Sequence, residues 1–192
     1  MTEPTPGNSG LLKVITSAGF IEKILLLLVT ALISGLIIPF IADNIQLRVA
    51  HQQRILDNQS ALYDELSSTI ITIETLILDV SWNNAYAEVK NKKQHEKALE
   101  RYSEQIPFLL SKLRAGTLKA NNLASEEVSN KLFEFQKELL SKQDLDLNKL
   151  ESSAKATTEE WLACHKYNVS MLYKANELLS ELAVDFGIVR QK

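Results

Sequence analysis

Histidine, cysteine, arginine and the carboxylates are the residues from which a helical protein builds catalytic or metal sites. Here they stand at spacings that support little of that chemistry. The chain has three histidines, His51, His95 and His165, and a single cysteine, Cys164. A helical zinc site needs two histidines one turn apart with an acid beside them, and a di-metal carboxylate site needs Glu-x-x-His pairs. Neither spacing occurs. Cys164 and His165 are neighbours, but consecutive helical residues point about 100° apart, poor geometry for a thiolate–imidazole pair. Cys164 falls on an apolar stripe and reads as a core residue, and with one cysteine no intrachain disulfide can form.

Other chemistries are excluded in the same way. Helical-bundle ribonucleases of the HEPN type carry Arg followed after four to six residues by His, and no arginine here is so followed. There is no phosphate-binding glycine loop, no Gly-x-Ser-x-Gly and no Cys-x-x-Cys. A net charge of −3 excludes a polycation built for nucleic acid. Lys90, Lys92, Lys93, Lys97 and Arg101 are interleaved with Glu88, Glu96 and Glu100, which reads as a solvated helix face laced by pairs one turn apart. The expectation is a protein without catalytic residues, cofactor, metal or small-molecule substrate.

What remains is architecture, and it hangs on one stretch. Ile24 to Ala42 reads ILLLLVTALISGLIIPFIA, with Glu22 and Lys23 before it and Asp43 after it. A helix of about 19 residues spans roughly 28 Å, close to the ~30 Å hydrocarbon thickness of a bilayer. The run exceeds a signal-peptide core, and Phe40 two before Ala42 does not suit a cleavage site, so it reads as an uncleaved signal-anchor, a single-pass transmembrane helix. Residues 1–23 form an arm, disordered or interfacial. Inside the span Ala31 and Gly35 stand one turn apart, a small-residue face through which two membrane helices can approach. Pro39 predicts a bend near the exit.

Beyond the exit the spacing alternates four and three from Ile45 through Val49, Gln52, Leu56, Gln59, Tyr63 and Leu66 to Val80. That is a heptad seam, the mark of a long helix packed at a shallow angle on long neighbours. Gln52 and Gln59 make its membrane-proximal half wetter, or open to a partner chain. Ser81–Asn84 predicts a break, Gly116 a helix stop and residues 117–124 a polar connection. Ser125 with Glu126 and Glu127 predicts a helix start, residues 142–146 the next break, and a last helix along Leu150, Ala154, Trp161, Cys164, Asn168 and Leu182, ending near Gly187. Asn168, in a core position, fixes register. Scarce Pro and Gly, 4 and 6 copies, argue against an all-β fold. The fold class expected is all-α: one transmembrane helix continuous with an up-down, coiled-coil-like four-helix bundle over 43–192.

Gly35, Leu36, Pro39 and Phe40, followed by Arg54, Gln59, Leu62 and Leu66, resemble a recurrent N-terminal module of uncharacterised bacterial single-pass membrane proteins. The resemblance implies an inner-membrane anchor with a cytoplasmic C-terminal domain; it carries no activity. The functional expectation is a membrane-anchored tethering or scaffold protein with the lipid bilayer as one partner and a second copy or another protein as the other. Contact would run through Ala31, Gly35, Gln52 and Gln59. Two alternatives remain: an effector whose spans oligomerise into a pore, and a periplasmic four-helix sensing domain.

Overall fold

A computed structural model describes residues 18–86 and 92–189. It is all-helical; no described residue lies in a strand. Most of the arm, Lys90, Arg190 and Lys192 fall outside the described residues. The chain divides into two units, Met1–Gln53 and Arg54–Lys192.

In the first unit, α1 runs Ala18–Leu32, a π-helical turn follows over Ile33–Ile37, and α2 begins at Ile38. Residues 18–23 of the expected arm are thus already helical. The π-turn sits immediately before Pro39, which has no N–H to donate and whose ring crowds the carbonyl four residues back. A wider turn at that place relieves the crowding, and Ile38 N–H bonds instead to Ile33 O. Every side chain described in this unit is exposed. Its helix is long and apolar enough to cross a membrane, with mean hydropathy 2.8 over its most apolar window.

The second unit holds the core. α2 runs Ile38–Ala85, α3 Lys92–Leu123 and α4 Glu126–Glu138; a second π-turn, Leu139–Asp144, leads into α5, Leu145–Ser152; α6 is Thr158–Asp185. From Leu66 onward the α2 seam is buried: Leu66, Ile70, Ile73, Ile77 and Val80 meet Leu113 of α3, Leu132 of α4, Leu147 of α5, and Met171 and Leu182 of α6 in one cluster. Between α2 and α3 the pairs are Gln59 with Leu123, Glu65 with Lys119, Asp79 with Arg101, and Asn84 with His95. Between α4 and α6 they are Lys131 with Glu181 and Glu138 with Lys174. Where one partner's number rises the other's falls.

Three of the expected breaks are corrected. Ser81–Asn84 stays helical because its polar groups find partners sideways: Ser81 reaches His165, and Asn84 reaches His95 and Glu151. Gly116 does not stop α3, which runs on through residues 117–123. A Cβ at Gly116 would stand 2.5 Å from Leu66 Cδ2, so this glycine marks close approach of two helices rather than an end. Residues 142–146 are not a break but the end of the π-turn and the start of α5. The true break is Ser153–Thr157, so Leu150 lies in α5 and Ala154 in the connection rather than in the last helix.

The helix ends have visible causes. Ser125 Oγ accepts from Val128 N at 3.4 Å, with Glu126 and Glu127 in the first turn. Thr157 and Glu160 form a reciprocal capping box on α6. Gly187, with φ 68°, closes α6 as its N–H bonds to Val184 O and the Ile188 N–H reaches Ala183 O.

Candidate functional site

The four expected contact residues meet different fates. Ala31 and Gly35 are exposed; the π-turn begins between them, and nothing lies within 4 Å of where a Gly35 Cβ would stand. Thr30, next to Ala31, is used within its own helix, bonding Leu26 O at 2.8 Å. Gln52 is exposed. Gln59 is half-buried, and its Nε2 donates to Leu123 O at 2.8 Å. That carbonyl ends α3 and would otherwise have no helical donor. Gln59 therefore makes a helix–helix contact inside the chain.

The histidines and the cysteine go to separate places. His165 is buried and shares a 2.9 Å hydrogen bond between Nδ1 and Ser81 Oγ, with the Trp82 and Tyr86 rings edge-on at 5.4 and 5.5 Å. Burial holds its pKa below the ordinary imidazole value. His95 lies between Asn84 and Glu151. Cys164 accepts from Asn168 Nδ2 at 3.5 Å, and burial pushes its thiol up, away from the thiolate a nucleophile needs. It floors a groove of about 630 Å³ edged by Lys142, Asp146 and Tyr167. Among the described residues no three His, Cys, Asp or Glu side chains gather as a ligand set.

Sequence reasoning missed the most unusual group in the unit. Glu74 of α2 is 0% exposed, and its Oε2 accepts from Gln143 Nε2 at 2.7 Å. Gln143, itself 0% exposed, lies on the second π-turn. Burial raises the Glu74 pKa to about 7, against the smaller lowering effect of the Gln143 bond. One residue on, Asp144 accepts from the Tyr102 hydroxyl of α3; burial first and Asp144 second hold that phenol far above its usual range. The π-turn is thus fastened to α2 and α3 by adjacent side chains. A signal for Glu74 was present: in ITIETLIL it has Ile70, Ile71, Ile77 and Leu78 one turn away and no Lys or Arg there to pair with.

A scan against protein-family models, a search of the curated proteins and a search of the solved structures each found no match.

Proposed function

We propose that this chain is a membrane-anchored helical tether: a single-pass protein whose all-α domain is an up-down four-helix bundle that holds a protein partner or a second copy at the membrane. One observation carries the reading. The apolar window near the N-terminus is 0% buried within the chain, whereas a soluble protein's core helix would be covered by its own fold. Lipid is the environment that makes exposed Leu25, Leu26, Leu27 and Leu28 favourable. The bundle reading is supported by the falling-against-rising order of the α2–α3 and α4–α6 pairs. A buried thiol and a buried imidazole, with no ligand set among the described residues, support a non-catalytic role.

The mechanism is concentration. Anchoring confines the bundle to a thin layer, so contacts too feeble in solution become effective. The exposed Gln52 face and the Ala31–Gly35 face are the contacts we assign to it. We take the bundle to be cytoplasmic in a bacterial inner membrane, as the resemblance of the exit segment implies.

The test uses intact cells carrying the full chain with Cys164→Ala and Tyr173→Cys, since Tyr173 is 70% exposed. The protein should stay with membranes through alkaline extraction, and a membrane-impermeant maleimide should label it only after lysis. Release by alkali would defeat the anchor, and labelling of unbroken cells would turn the domain outward and favour a sensing role.

A further inference from the structure

Glu74 and Gln143 present an imbalance that one proton removes. Their side chains are fully buried and joined by one hydrogen bond, Gln143 Nε2–H to Glu74 Oε2. The two remaining oxygens of the pair, Glu74 Oε1 and Gln143 Oε1, have no partner. Both are acceptors when Glu74 is ionised, so neither can satisfy the other. Leaving a buried acceptor unmet is unfavourable, and more so if it is charged. A carboxylic acid and a primary amide, set side by side by their first bond, have complementary second arms. With Glu74 protonated, Oε1–H donates to Gln143 Oε1 and both atoms are satisfied.

We propose that Glu74 is a neutral acid in the folded protein, paired through both oxygens with the Gln143 amide, and that losing this proton to water is a pH switch on the packing of the second π-turn against α2. The surrounding groups give no counter-charge. On the π-turn, Asp144 is taken by Tyr102 of α3, and Lys142 lies over the Tyr167 ring at 4.2 Å. From α6, Tyr167 bonds Glu138 of α4, which is paired with Lys174 of α6. Burial first and Glu138 second hold the Tyr167 phenol above its usual range, with smaller effects from Asp146 of α5 and from Glu74 itself, and Asp146 adds to the burial that raises Cys164. Only burial and the Gln143 bond act on Glu74. A π-turn is the place where such a switch has leverage, because its wider hydrogen bonding is less well made than that of the α-helix around it.

The sign follows from linkage. The folded-state pKa is raised from 4.5 to about 7, so the folded form binds the proton more tightly than the unfolded one. Stability from this pair is fully present below the unfolded value and is lost as pH rises through about 7. His165 of α6, which bonds Ser81 about two turns further along α2, has its pKa lowered by burial and acts in the opposite sense, weakening the fold on acidification.

The experiment is denaturant unfolding of the full chain in mild detergent, read by tryptophan fluorescence from about pH 4.5 to pH 8.5, for wild type and Glu74→Gln. A shift of 2.5 (7 minus 4.5) predicts that the wild-type folded-to-unfolded ratio, taken relative to that of Glu74→Gln, falls on the order of a hundred-fold across that range. Glu74→Gln keeps an amide–amide pair without a titrating group and keeps His165, so it should lose that fall. Equal slopes in the two proteins would overturn the proposal. Should Glu74→Gln fail to fold, wild type with carboxyl-labelled glutamate decides by NMR. One carboxyl titrating near pH 7 supports the pair; all of them titrating below about 5.5 sinks it.

Discussion

Along α2 one spacing passes through two environments. Ile45, Val49 and Leu56 stand on the heptad seam with 56%, 58% and 50% of their surface exposed, while Ile70, Ile73, Ile77 and Val80 on the same seam are at 0%. The residue types barely differ. What differs is what lies opposite. The lower seam is covered by side chains of α3, α4, α5 and α6, and no described side chain covers the upper one. A period of three and a half residues selects which residues share a face; it does not say what covers that face. The covered half stabilises the fold of the second unit.

The sharpest way to break this contrast is to cut the same kind of side chain from each half. Ile73→Ala removes a fully buried side chain and should cost about 2–5 kcal/mol of unfolding free energy. Val49→Ala should stay within about 0.5 kcal/mol, as surface changes do. Trp82 and Trp161 both lie in the second unit, so their fluorescence during denaturation of the full chain in detergent reads that unit. A large cost for Val49→Ala would mean that the upper seam is covered after all, by a second chain.

A smaller effect comes from the place where two helices come nearest. An alanine Cβ at Gly116 meets Leu66 Cδ2 at 2.5 Å and Cγ at 3.1 Å, and Leu66 is 1% exposed with little room to move. Overpacking of this kind costs about 1–3 kcal/mol, against about 1 kcal/mol gained because alanine suits a helix interior better than glycine. Gly116→Ala should therefore destabilise wild type by about 1 kcal/mol. In a Leu66→Ala background the clash is gone, and the same change should stabilise. A double-mutant cycle on tryptophan-monitored unfolding checks the reversal; an unchanged sign would show that Leu66 is not what Gly116 makes room for.

That reversal also shows where the sequence could and could not be read. The apolar run, the lower seam, the Ser125 start and the Gly187 end rest on local chemistry: hydropathy, period, a capping hydroxyl, a positive φ. They were legible because the cause lies within a few residues of the effect. Gly116 looked like a stop because glycine most often serves that way after an apolar stripe, but its reason is Leu66, fifty residues distant in the chain. Ser81–Asn84 looked like a break because the partners that keep it helical, His165, His95 and Glu151, are set by tertiary packing. Gln143 carries no local signal, because a π-turn adds one residue to a helix and so shifts which face the following side chains occupy. Of the candidate contact residues, the sequence picked out Gln59 as unusual for its seam, but its partner, the Leu123 carbonyl, lies 64 residues away and is set by tertiary packing.

The smallest test compares the two seam glutamines. Gln59→Leu removes the bond to Leu123 O and leaves the end of α3 without that donor, a loss of about 1 kcal/mol. Gln52→Leu touches nothing inside the chain and should change unfolding by less than about 0.5 kcal/mol. Its effect should appear elsewhere. An exposed Leu at position 52 extends the apolar face of Ile45, Val49 and Leu56, and a polar residue in such a seam limits association, so cross-linked dimer in membranes should rise. Unfolding and cross-linking are thus expected to move in separate variants: stability with Gln59, association with Gln52. If Gln52→Leu instead costs as much stability as Gln59→Leu, the upper seam is part of the fold, and the division of α2 into a covered and an open half fails at that residue.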